Sequence, residues 1–202
     1  MAVCAYSQIL YHGATISAFS DTLLVNRFKG GIRLNDFSTD VKLARGGDSA
    51  AFARLYSLVY KDLYHIALYS LRSSHDACDV VSDTVLDAFT TIGKLKDEKA
   101  FRGWIMKILS AKIKRKQREY FANTAELTDE ELPEEEFGYE NVELREAVDR
   151  LDPQSRLILS MSALGGYTGD EISAVCGLKP ATVRSRLARI KERLRLELTG
   201  NV

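Results

Sequence analysis

From Val41 onward, apolar residues recur at three- and four-residue spacing along most of the chain, the period of helices that bury one face. No stretch alternates in the way a half-buried strand does. The first regular helix is expected to open at Ser38 or Thr39 as a cap, run through Val41, Leu43 and Ala44, and break at Gly46-Gly47-Asp48. A second carries Phe52, Leu55, Tyr56, Val59, Leu63, Ile66, Ala67 and Tyr69 on a wide apolar face. A third covers Asp76 to Ile92, and a fourth runs from Phe101 to Tyr120 with Phe101, Trp104, Ile105 and Ile108 as its apolar stripe. Trp104 lies on that stripe and reads as a core anchor rather than a platform for a base.

Periodicity then lapses. Glu126 to Glu140 holds acids, Pro133 and Gly138 with few large apolar residues, a composition that cannot bury itself. Helical patterning resumes with Val142, Leu144, Val148 and Leu151, and Asp152-Pro153 caps a further helix carrying Leu157, Ile158, Met161 and Leu164 until Gly165-Gly166 stops it. Thr168-Gly169-Asp170-Glu171 has the spacing of a capping box, so a short helix starts there, with Ile172, Ala174 and Val175 turned inward. It ends at Gly177, and Pro180 opens the next. Short helix, glycine turn and second helix make the helix-turn-helix layout, whose second member enters a major groove.

The fold expected is therefore all-α: two small helical domains joined by an acidic linker, the second a helix-turn-helix domain. Residues 1–35 are expected to be a flexible extension, 36–120 the first domain, 121–140 the linker and 141–202 the second domain.

Charge sharpens this division. The formal net charge is zero, but local clustering rather than the total sets the field at a surface. Basic residues concentrate in Lys107–Arg118 and again in Lys179–Arg195, with acids between them. On the last helix Val183, Leu187, Ile190 and Leu194 form the apolar side, and Arg184, Arg186, Arg189, Lys191, Arg193 and Arg195 occupy the other faces. Arginines near its start can pair with guanine edges, and those farther along can neutralise phosphates. The fourth helix becomes basic at Lys112, Lys114, Arg115, Lys116 and Arg118, which suits a phosphate backbone. In the third, Asp79, Asp83 and Asp87 share one face beside Leu86, opposite Val81, Val85 and Phe89, a stripe suited to a protein contact.

Taken together these segments resemble the extracytoplasmic-function group of bacterial sigma factors over Asp40 to Leu198. LARGGDSAAFARLY, DACDVVSDTVLDAF, KAFRGWIMKI, LDPQSRLILSM and GYTGDEISAVCGLKPATVRSRLARIKERLR follow that family's successive signatures in order and spacing. The resemblance implies a first domain that docks on RNA polymerase core and reads the −10 promoter element, and a second that reads the −35 element. It assigns polymerase binding to Asp79, Asp83 and Leu86. Reading of the −10 element falls to the Lys96–Lys99 loop and to Lys107, Ser110 and Lys114, with Arg118 beyond them. The −35 element falls to Arg184, Ser185, Ala188 and Arg189, with Arg186 between them. The chain departs from the family at Ser82, Val85, Asp87, Ala111, Arg115 and Lys179. Promoter DNA and polymerase core are the implied partners, and an anti-sigma factor is left open.

Other classes fit less well. His12, His65 and His75 have no acid-base setting and no carboxylates converge for metal-assisted phosphoryl transfer, so no enzyme, cofactor or metal is expected. Three separated cysteines without a CxxC pattern argue against a disulfide framework or zinc knuckle. No apolar run reaches the length of a membrane span and no signal peptide is evident, so a cytoplasmic location is expected. The competing reading is a helix-turn-helix regulator that never joins polymerase, which the first domain has to decide.

Overall fold

A computed structural model describes residues 35–122, 142–198 and 200. Of the expected extension over residues 1–35 only Asn35 is described, and it opens the first helix rather than ending an extension; the acidic stretch from Glu126 to Glu140 lies outside the described residues. Among the described residues the structure is all-helical, with no strand: α1 (Asn35–Arg45), α2 (Ser49–Leu71), α3 (Ser74–Thr91), α4 (Phe101–Ala122), α5 (Val142–Asp149), α6 (Pro153–Ala163), α7 (Gly169–Cys176) and α8 (Pro180–Leu198).

Local chemistry explains most boundaries. The Asp48 carboxylate accepts from the amides of Ala50 and Ala51 and so starts α2 directly after the Gly46-Gly47 break. Ser73 caps α3 by accepting from the Asp76 amide, which moves that start two residues ahead of the Asp76 expected from periodicity. Likewise α1 begins at Asn35, so Ser38 and Thr39 sit inside it rather than capping it. Asp152 caps α6 through the Ser155 amide, with Pro153 in the first turn, where its missing N–H is harmless.

The first four helices pack around α2, whose Leu55, Leu63 and Ile66 are fully buried with Ile105, Met106, Leu109 and Ile113 of α4. Each such side chain contributes about 1.5–3 kcal/mol by leaving water. Phe89, expected inward, is 49% exposed, and its ring meets Phe52 edge-on at 5.1 Å. Trp104 is half-buried against Phe101, on the stripe where the sequence placed it.

The two halves pack against each other. Leu157, Ile158 and Met161 of α6, with Tyr167, Ile172, Val175 and Val183, belong to the same apolar cluster as the core of α1–α4. Helix α2 lies along α6, and α4 along α7. A smaller core of Leu144, Ala147, Val148, Leu151, Leu159, Ile190 and Leu194 ties α5 and α6 to α8.

Candidate nucleic-acid and polymerase interfaces

The helix-turn-helix is built from caps outward. The Thr168 hydroxyl accepts from the Glu171 amide at 3.3 Å, and the Thr168 amide donates to the Glu171 carboxylate at 2.8 Å, closing the expected box at the start of α7. Gly177 ends α7 at φ 71, a left-handed conformation that costs glycine little and other residues more. The Ser173 hydroxyl donates to the Leu178 carbonyl at 2.6 Å and pins the turn. Ser173 is accordingly buried, whereas Ala174, expected inward, is exposed.

Val183, Ile190 and Leu194 anchor α8, and Leu187 is half-buried beside them. The opposite sector presents Arg184, Ser185, Ala188 and Arg189 to solvent. Arg184 lies 3.4 Å from Asp170, a contact between two exposed groups that little stabilises either. Arg189 makes no hydrogen bond or ion pair among the described residues. Arg186 differs from these: its guanidinium donates to the Gln154 side chain at 2.6 Å, pointing toward α6 and away from the exposed sector. Farther along, Arg193 pairs with Glu197 at 2.8 Å and Arg195 with Glu192 at 2.8 Å.

On α3, Asp79, Asp83, Leu86 and Asp87 are all exposed, and Leu86 at 64% is a large apolar side chain left in water. The carboxylates are not equivalent. Asp83 faces Lys112 at 3.7 Å and Arg115 at 3.5 Å, and Asp87 meets Lys112 at 2.6 Å, whereas Asp79 lies against His75 at 3.5 Å. At the foot of the helix Asp76 is held by Lys116 at 2.8 Å and accepts from the Tyr120 hydroxyl. Burial alone pushes its carboxyl up, but the bonds from Lys116 and Tyr120 outweigh that and hold it below the usual carboxylate range. His75, Asp76 and Asp79 have ligand atoms within 4.8 Å of one another. Lys116 already neutralises Asp76, and the other two are exposed, so the cation the structure gives this trio is that lysine.

The remaining candidates lie on and before α4. Lys96 and Lys99 are exposed in the turn preceding it, anchored by buried Leu95 and by the Asp97 carboxylate, which accepts from the Lys99 amide at 2.9 Å. Lys107 and Arg118 are exposed. Ser110 is only 2% exposed, and the Lys114 ammonium donates to the Cys176 carbonyl at the end of α7 at 3.2 Å. The structure thus brings Lys107, Lys114 and Arg118 onto one helix, with Ser110 buried and Lys114 half-buried and bonded to the end of α7. It also gives weight to Arg102, Gln117 and Tyr167, which sequence reasoning passed over.

Residues 55–120 match the model of sigma-70 region 2, and residues 141–194 match that of sigma-70 region 4, in the order the helices follow. The chain belongs to the sigma-70 family. RNA polymerase sigma factor SigV of Bacillus subtilis is 25% identical over 69% of this chain and 86% of its own length. ECF RNA polymerase sigma factor SigM of Mycobacterium tuberculosis is 28% identical over 73% of this chain and 77% of its own length, in keeping with the extracytoplasmic-function group. The solved structure of CnrH in complex with the cytosolic domain of CnrY shares the fold, with a TM-score of 0.66 and 22% identity over 82% of this chain and 99% of that one. This sigma factor is thus a transcription-initiation factor that directs RNA polymerase to promoters. Region 2 stands where a conventional repressor would need a ligand pocket or dimer seam, which disfavours the regulator reading. No helix among the described residues is long and apolar enough to cross a membrane.

Proposed function

We propose that this sigma factor divides its work among three helices: α3 docks on polymerase core through Asp79, Asp83 and Leu86, α4 with the Lys96–Lys99 turn reads the −10 element, and α8 reads the −35 element. The observation that carries the reading is the exposed sector of α8. A helix locked by buried Val183, Ile190 and Leu194 turns Arg184, Ser185, Ala188 and Arg189 outward together, directly after a capped helix and a glycine turn. Arg186, held by Gln154, positions α8 on α6 rather than reading a base. Recruitment by binding, without bond-making groups, accounts for every residue so placed, and the work belongs in the cytoplasm, where polymerase and promoter are. A protein partner that sequesters it, as the cytosolic domain of CnrY binds CnrH, fits the same frame.

The test is run-off transcription with purified core polymerase on a promoter library, comparing the full chain with an Arg184→Ala, Arg189→Ala double variant. The full chain is expected to select a shared −35 sequence, and the double variant to lose that preference. Failure of the full chain to support promoter-dependent transcription would sink the assignment.

A further inference from the structure

The turn assigned above to the −10 element projects from a fixed base. Ile92 and Leu95 are buried before it and Phe101 after it, so residues 96–100 stand clear of the core. Lys96, Asp97, Lys99 and Ala100 are exposed and Glu98 is half-buried. Two side-chain hydrogen bonds hold this projection. The Asp97 carboxylate accepts from the Lys99 amide at 2.9 Å, a local bond that shapes the turn without deciding where it points. The other reaches across the fold: the Arg45 guanidinium, in the last turn of α1, donates to the Glu98 carboxylate at 3.1 Å. Among the described residues no other side chain of 96–100 makes a hydrogen bond or ion pair with another element. Helix α1 is itself a firm support. Phe37, Val41 and Ala44 are buried, the Phe37 ring lies 5.6 Å from that of Phe101, and the helix packs against both single helical turns of the segment, Ile92–Lys94 and Glu98–Ala100.

We propose that Arg45 is a positioning residue for −10 reading: by holding Glu98 it sets where the Lys96–Lys99 turn points, without touching DNA itself. Stability does not need the pair, because an ion pair whose side chains both reach solvent contributes little and α1 is already seated by its apolar residues. Aim does need it. An exposed five-residue projection otherwise keeps the freedom of a surface loop, and a site works only when its side chains are held to within a fraction of an ångström. The pair also leaves both acids of the turn engaged, Asp97 by an amide and Glu98 by Arg45, so Lys96 and Lys99 are the charges the turn presents. Arg45 lies ahead of residues 55–120, the stretch matched to region 2. The proposal rests on the reading of the Lys96–Lys99 turn as part of the −10 reader.

The experiment uses holoenzyme assembled from core polymerase and the full chain, on a promoter that wild type selects in run-off transcription. Promoter opening is read by permanganate oxidation of unpaired thymines at the −10 element, beside holoenzyme affinity for the −35 duplex and the thermal melt of the free chain. Arg45→Ala and Glu98→Ala are each expected to lower opening about tenfold, and to leave −35 affinity and the melt as in wild type. The variant carrying both changes should be no worse than either alone, since both remove one contact. Arg45→Lys, which keeps a cation for Glu98, should retain most of the opening. Unchanged opening in Arg45→Ala, or additive losses in the double variant, overturns the proposal. So does a harmless Glu98→Ala beside a defective Arg45→Ala, which would make Arg45 a DNA contact of its own. A parallel fall in the melt or in −35 affinity also overturns it, by reducing the pair to a brace for the fold. Lys96→Ala combined with Lys99→Ala tests the reading beneath. Unaltered opening there means that the turn does not read the −10 element, whereas lost opening with Arg45→Ala intact leaves that reading standing and removes only the positioning role.

Discussion

Arg189 and Arg193 stand four residues apart on α8, yet the structure gives them different surroundings. Arg189 is exposed without a partner among the described residues, while Arg193 is engaged by Glu197. Arg189→Ala is therefore expected to cost about 1–3 kcal/mol on the preferred −35 duplex and to relax choice at one base pair. Arg193→Ala should weaken all duplexes alike and slightly. Holoenzyme binding to matched and single-base-altered duplexes across a salt series separates them, and equal sequence-independent losses would reject base reading by Arg189. Asp76 supplies a pH prediction. Its carboxyl is depressed in the folded chain, so its stabilising effect is present above the ordinary carboxylate value and fades as pH falls through the folded value. Asp76→Asn should lower the melting temperature at neutral pH, and the gap from wild type should narrow in acid. A gap independent of pH would contradict the pairing with Lys116 and Tyr120.

Helix by helix, the sequence was most legible where signals are local. The Thr168–Glu171 box, Gly177 and Pro180 each act within a few residues, so α7 begins and ends, and α8 begins, where the pattern placed them. Removing the box by Thr168→Ala should cost about 1 kcal/mol of stability, read by chemical denaturation. Starts of α1 and α3 were misplaced because several capping residues compete near each, and only the chain's path decides that Ser73 rather than a later residue turns its hydroxyl to an amide. For α3 as a whole, reversing Asp79 and Asp83 to lysine should weaken association with core polymerase and leave −35 binding by the second unit unchanged. Asp79→Lys alone is expected to do more than Asp83→Lys alone, since Lys112 and Arg115 already partly neutralise Asp83. Equal affinity of the double variant for core would remove α3 from the docking surface.

For the whole molecule, what could not be read was which faces meet. Arg102 and Tyr167 are 65 residues apart, and an arginine on a half-polar helix turn looks like any solvated side chain until a ring is placed beneath it. Ser110 carried the same ambiguity: a small polar residue on a basic helix fits DNA and fits a neighbouring helix equally well. Because Ile158 and Met161 share one apolar cluster with Leu55 and Ile66, the free chain should unfold with coincident transitions in its two halves. Ile158→Ala should destabilise both, by about 2–5 kcal/mol, a result checked by hydrogen exchange resolved along the sequence.

Lys114 meets the carbonyl of Cys176 at the last turn of α7, where a helix gathers the negative ends of its peptide dipoles. On the proposal that Lys114 holds a phosphate, the carbonyl it meets here is a surrogate for one, and the protein's own backbone competes with nucleic acid for the same cation. A partial negative charge is a weaker ligand than a full phosphate, so the exchange runs toward DNA once both are within reach, and a lysine kept paired until then is unavailable to stray polyanions.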